Sequence, residues 1–156
     1  MYRHQDNKFT ERKHTRLQNY DYSTENYYFV TICTHEKKCI FGSPDTLNWC
    51  GKFAKMGIEN IPLHYEGVKV LQFVIMPNHV HMIIALPSKI FELSMIIGQY
   101  KAFVTKNIRH NDPSAIVWQR SFHDHVIRNQ HSYEKIWQYI EGNPGKWEED
   151  CFYTPL

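Results

Sequence analysis

Two histidines one residue apart, His79-Val80-His81, have the spacing in this chain that most directly suggests chemistry. Alternate residues of a β-strand share a face, so the two imidazoles stand side by side, roughly 6.6 Å apart at the backbone for a rise of about 3.3 Å per residue. At that separation two ring nitrogens converge on one divalent metal, while Val80 points the other way into packing. A lone His-x-His is also what two half-buried strand histidines with ordinary hydrogen bonds look like. The setting favours the metal. Pro77-Asn78 comes immediately before, a turn dipeptide in which proline presets φ and asparagine bonds its own backbone. Strand ends beside turns are where function tends to be carried.

The second residue with chemical potential is Tyr100. It lies mid-way along a helical pattern, on the stripe that should face the sheet. It is either a core tyrosine or a hydroxyl presented toward the histidines. In the second case a metal-bound phosphate is open to attack by the phenolate, giving a covalent protein–nucleic acid link whose phosphodiester conserves the energy of the broken bond. Lys101 and Lys106 on the same helix are placed to hold phosphates. Candidates for a third metal ligand are Asn107 and the cluster His123-Asp124-His125, the latter also suited to a structural or DNA-contacting role. No carboxylate near the histidines reads as the base of a zinc hydrolase.

These residues need a scaffold. Tyr27 to Thr34 is β-branched and aromatic throughout, a strand. Gly42-Ser43-Pro44 is a turn. A helix capped by Asp45 or Thr46 runs to about Asn60, with Leu47, Cys50, Phe53, Ala54, Ile58 and Ile61 inward, and Pro62 ends it. Val68–Met76 and His79–Leu86 are hairpin partners. Ser94 caps a helix to Arg109 or His110 with Leu93, Ile96, Ile97, Tyr100, Phe103, Val104 and Ile108 buried. Trp118–Ile127 is extended, and Ser132–Ile140 makes a last helix stopped by Gly142-Asn143-Pro144-Gly145. The order β, α, β-β, α, β, α predicts an α+β fold, a ferredoxin-like antiparallel sheet with helices on one face.

The chain has 156 residues, 42% apolar and 22% charged, which fits a single globular domain over 1–156 with a sizeable core. No apolar run approaches the roughly 20 residues of a membrane helix, and the first residues carry no apolar signal core, so a cytoplasmic location is expected. Cys33, Cys39, Cys50 and Cys151 show no Cys-x-x-Cys pairing, and reduced thiols are the default. The net charge is only +2, but it is unevenly distributed. Residues 1–16 set Arg3, Lys8, Arg12, Lys13 and Arg16 against Asp6 and Glu11. Residues 1–26 thus read as a basic arm, with Tyr20 and Tyr22 available to stack on bases. Residues 99–135 are also basic, with Lys101, Lys106 and Arg120 among the contributors. Such patches favour a polyanion over a membrane partner.

The Pro77-Asn78-His79-Val80-His81 segment resembles the histidine–hydrophobic–histidine motif of single-tyrosine HUH transposases, the insertion-sequence-200-like family that includes the REP-associated tyrosine transposases. The resemblance spans nearly the whole chain. Arg16-Leu17-Gln18-Asn19-Tyr20-Asp21-Tyr22 followed by Tyr28-Phe29-Val30-Thr31-Ile32-Cys33 is similar to the start of those proteins. Gln99-Tyr100-Lys101 resembles their nucleophile helix, and Trp118-Gln119, Phe122-His123-Asp124-His125 and Tyr139-Ile140-Glu141-Gly142-Asn143-Pro144 resemble later blocks.

The resemblance implies a transposase that acts as a metal-dependent endonuclease and strand transferase on single-stranded DNA, recognising hairpin-forming palindromes in DNA transposition and recombination. His79 and His81 would hold Mg²⁺ or Mn²⁺, Tyr100 would form a 5′-phosphotyrosine, and Arg12, Lys13, Arg16, Lys101, Lys106 and Arg120 would contact DNA. Relatives often take a third ligand one turn after the tyrosine. Here that position is Val104, which has no donor atom and leaves the third ligand open. A domesticated, non-cleaving DNA-binding protein of the same fold is the alternative. Monomer and homodimer are both compatible with the resemblance.

Overall fold

The computed structural model describes residues 25–87 and 90–156. The arm expected over 1–26, including Arg12, Lys13 and Arg16, falls almost wholly outside them.

Four strands, β1 (Glu25–Cys33), β2 (Lys69–Met76), β3 (His79–Pro87) and β4 (His123–Ile127), form one antiparallel sheet in the order β2-β3-β1-β4. Helix α1 (Trp49–His64) follows β1, α2 (Leu93–Asn111) follows β3, and α3 (Gln130–Gly142) follows β4. The first six elements are the expected ferredoxin-like βαββαβ unit. The β2–β3 turn is the two residues Pro77 and Asn78, because Met76 pairs with His79. The β2 strand carries one irregularity between Val70 and Gln72.

Central strand β3 separates two cores. One face presents Val80, Met82 and Ile84, with Val30 and Ile32 of β1, to α1 and α2. The other presents Ile83 and Ala85, with Tyr27 of β1 and Ile127 of β4, to Tyr133, Trp137 and Ile140 of α3. Helices α1 and α2 supply the expected cover on one face, and α3 lies across the sheet on the second. The spacing of Tyr133, Trp137 and Ile140 makes one stripe on α3, enough to bury its inner side.

Four boundaries differ from expectation for local reasons. Asn48, not Asp45 or Thr46, caps α1, its side chain accepting from Gly51 N at 3.0 Å. Gly42 at φ 106 and its bridge to Leu47 hold residues 42–47 in a tight loop, which delays the helix start. Pro62 lies inside α1 rather than ending it; the chain stays helical to His64 because buried Ile58 and Ile61 fix that turn against the core. Helix α2 begins at Leu93, so Ser94 is within its first turn and not its cap. Only His123–Ile127 of the extended segment pairs as a strand, with Trp118 making a single bridge to Thr34. After α3 the chain continues as a 3-10 segment, Pro144–Glu149, and folds back over the sheet.

Candidate active site and metal centre

His79 and His81 open β3 on the face toward α3, and both are almost completely buried. Their orientation is set by neighbours. Asn78 Nδ2 donates to Lys37 O, Phe152 O and Thr154 Oγ1, which fixes the amide so that Oδ1 faces His79. His79 Nδ1 therefore donates to Asn78 Oδ1 at 2.8 Å, leaving the Nε2 lone pair free. His81 Nδ1 is 2.8 Å from Thr31 Oγ1, its register partner on β1, and its Nε2 is 3.4 Å from the Tyr139 hydroxyl. The two rings lie 4.5 Å apart.

Both histidines are held neutral. Burial depresses the pKa of His79 to about 4, with the Asp150 carboxylate pulling the other way. Burial also places His81 well below the ordinary value, and neighbouring His79 pushes in the same direction. A neutral imidazole is the form that binds a metal.

The tail completes the surroundings. Asn143 caps the C-terminus of α3, one turn beyond Tyr139, so the two side chains are neighbours on the helix. Asn143 Nδ2 donates to Asp150 Oδ2 at 2.6 Å, and Asp150 Oδ2 lies 3.8 Å from His79 Nε2. His79, His81 and Asp150 each offer a ligand atom, all within 4.8 Å of one another. His79 Nε2 and Asn143 Oδ1 are buried without a hydrogen-bond partner. Buried polar atoms are rarely left so, and unpartnered donor atoms on His79 and on Asn143, the hydrogen-bond partner of Asp150, fit a divalent cation. The mixed imidazole, amide and carboxylate donors suit Mn²⁺ and similar hard-to-borderline ions. A cavity of about 330 Å³ lined by Tyr139, Asn143, Lys146 and Asp150 opens beside this cluster.

Tyr100 is elsewhere. Helix α2 packs on the sheet face opposite the histidines, and Tyr100 is buried there, its hydroxyl donating to Ala54 O at 3.1 Å and its ring against Trp118. Burial without a compensating charge pushes its phenol far above the ordinary range. The expectation that α2 brings Tyr100 to the metal is therefore corrected: the sheet stands between them. Val104 and Asn107 go with it, Val104 in the same core and Asn107 bonded to Phe103 O. The tyrosine whose hydroxyl approaches His81 Nε2 is Tyr139, whose phenol burial raises to about 12, with Asp150 adding to the effect.

The basic residues also sort out. Lys101 Nζ donates to Gln119 O at 2.5 Å and Ser121 O at 3.3 Å, so it ties the segment before β4 to α2. Lys106 is exposed on α2, which covers the far face of the sheet, and Arg120 is exposed just before β4. His123 and His125 pair with Thr31 and Phe29, which puts them on the histidine face, but exposed on the edge strand with β1 intervening.

Sequence reasoning gave no role to Tyr139, Asn143 or Asp150. The available signal was Tyr-x-x-x-Asn-Pro, which sets a hydroxyl and an amide one helical turn apart at a helix end. Asp150 follows Glu148 and Glu149, a spacing that by itself reads as solvated surface charge.

The sequence pattern of the IS200-like transposase family matches residues 21–143. An uncharacterised protein of Haemophilus influenzae is 37% identical over 168 residues, covering 92% of this chain and 93% of that one. A candidate REP-associated tyrosine transposase of Haemophilus influenzae is 25% identical over 136 residues, covering 81% and 74%. Among solved structures, a REP-associated tyrosine transposase bound to a REP hairpin superposes with a TM-score of 0.60 at 21% identity, covering 79% of this chain and 68% of that chain. A candidate transposase from Deinococcus radiodurans gives 0.56 at 16% identity, covering 80% and 93%.

Proposed function

As this chain belongs to the IS200-like transposase family, we propose that it is a metal-dependent single-stranded DNA endonuclease and strand transferase whose nucleophile is Tyr139. The observation that carries the reading is the 3.4 Å approach of the Tyr139 hydroxyl to His81 Nε2, beside a cluster of unpartnered donor atoms.

His79, His81 and Asn143 would hold a divalent ion, Mg²⁺ or Mn²⁺. Such an ion, when bound, polarises a phosphodiester and favours the phenolate. The remaining work falls to the chain. Tyr139 is 43% exposed, so the cavity at its side admits a strand while its base is held by α3. A phenol with a pKa near 12 stays protonated at neutral pH, and a positive charge at the cluster offsets the burial and the Asp150 carboxylate that raise it. The phenolate oxygen attacks phosphorus, the P–O3′ bond breaks, and the departing 3′-oxygen takes up a proton. The protein is left with a 5′-phosphotyrosine that retains the bond energy for rejoining. Lys146, which lines the cavity, is positioned to neutralise a phosphate oxygen.

The DNA partner is a single strand that folds into a hairpin. The fold it shares with a transposase bound to a REP hairpin supports this, as do the basic N-terminal residues. The test is covalent capture. Labelled hairpin oligonucleotides are mixed with the protein and Mn²⁺, then denatured and resolved by gel. An adduct formed by wild type and lost in Tyr139→Phe establishes nucleophile and reaction class together. An adduct that survives Tyr139→Phe rejects the assignment. A native mobility shift without any adduct favours the non-cleaving DNA-binding protein.

A further inference from the structure

We propose that Asp150 is the anionic ligand that closes the metal centre, so that a bound ion pins residues 147–154 to the start of β3. This rests on the metal reading of His79 and His81 above.

The Asp150 carboxylate is fully buried. Its Oδ1 accepts from Phe152 N at 2.8 Å and its Oδ2 from Asn143 Nδ2 at 2.6 Å. Among the described residues it makes no ion pair with a lysine or arginine; its charged-group neighbour is His79 at 3.8 Å. That neighbour offers no proton. His79 spends its N–H on Asn78, so Asp150 Oδ2 and His79 Nε2 face each other as two lone pairs. A buried carboxylate beside an unprotonated imidazole is costly unless a cation lies between them. The spacing suits one. Two atoms bound to the same ion at about 2.1 Å stand roughly 3 to 4.2 Å apart, depending on angle. The 3.8 Å separation and the 4.8 Å limit on the whole group are within small adjustments of that range. Asn143 Oδ1, buried and unpartnered because its Nδ2 is committed to Asp150, adds a fourth donor.

Asp150 reaches this position on a segment that folds over the histidines. Trp147 packs 6.2 Å from the His79 ring, and Phe152 lies 4.7 Å from His79 and 6.0 Å from His81. The segment is fastened to the β2–β3 turn by Asn78 Nδ2, which donates to Phe152 O and Thr154 Oγ1. A ligand at 150 and hydrogen bonds at 152 and 154 make the ion part of that fastening. Metal occupancy and the order of residues 147–154 are thus thermodynamically linked: whatever stabilises one stabilises the other.

The experiment uses the full chain and Mn²⁺ alone, without DNA. Mn²⁺ binding is followed by the loss of the free-ion paramagnetic resonance signal, and hydrogen exchange of residues 147–154 is measured with and without the ion. The expected result is binding by wild type with at least tenfold slower exchange at residues 150–154. In Asp150→Asn, affinity falls at least tenfold and the exchange difference disappears. Binding by wild type that leaves exchange in 147–154 unchanged overturns the proposal, and this arm requires no variant to fold. So does an Asp150→Asn protein that binds Mn²⁺ as tightly as wild type. Wild type that binds no Mn²⁺ at all rejects the metal reading itself, a result distinct from these two.

Discussion

Tyr139 and His81 meet at 3.4 Å between α3 and β3, hydroxyl to Nε2, while the Nδ1 atom of the same imidazole is held by Thr31. One ring thus links a helix side chain to the neighbouring strand, and Tyr100 plays no part in it.

The two tyrosines are expected to respond differently to the same substitution. Tyr139→Phe should abolish the covalent adduct and leave the fold intact. Tyr100→Phe should keep the adduct and lose the hydrogen bond to Ala54 O, a net cost of about 1 kcal/mol. Parallel capture gels and urea titrations of both variants check this, and an adduct lost in Tyr100→Phe contradicts it.

Thr31→Val keeps the shape of a buried side chain and removes the partner of His81 Nδ1. The ring is then free to choose its tautomer and orientation. Mn²⁺ affinity is expected to fall by roughly 10- to 100-fold, the usual effect of losing a ligand's supporting hydrogen bond. Calorimetric titration of Mn²⁺ into both proteins measures it.

Acid should destabilise the metal-free protein over a defined window. Unfolded histidines take up protons near pH 6.5, whereas folded His79 resists until about pH 4 and His81 is also held well below its ordinary value. Between those limits the unfolded state binds more protons, so stability falls as pH drops from about 6.5 toward 4. Melting temperature against pH in EDTA gives the slope. A His79→Gln, His81→Gln double variant should flatten it.

Gly57 of α1 lies directly against α2. A Cβ there meets the Tyr100 ring at 2.9 Å and Phe103 at 3.0 Å. Helix propensity alone favours alanine by about 1 kcal/mol. Overpacking a fixed buried ring costs about 1–3 kcal/mol, so Gly57→Ala should be net destabilising with Mn²⁺ binding unchanged. Chemical denaturation provides the comparison, and a more stable variant refutes the packing argument.

The strands, their order along the chain and the buried stripe of α2 were all legible in residue spacing. What was not legible is which face of the sheet each helix covers. Period-two alternation identifies a face only when one side is polar, and β3 is apolar on both, with Val80, Met82 and Ile84 on one side and Ile83 and Ala85 on the other. An inward stripe on α2 and one on α3 are then equally able to meet the histidines, and both helices carry tyrosines, so spacing alone does not choose between Tyr100 and Tyr139. Asp150 was hidden for a different reason. Its burial depends on contacts with Asn143 and Phe152 within an irregular segment that has no period to read.

Strand β3 serves two masters at alternate positions. In the proposed function residues 79 and 81 answer to reactivity, whereas residues 80, 82 and 84 answer only to the fit of α1 and α2. Sequence drift behind the sheet can therefore tune thermal tolerance while the reaction chemistry stays fixed. A one-residue slip in the register of the strand would do the reverse, exchanging the two roles along its whole length at once.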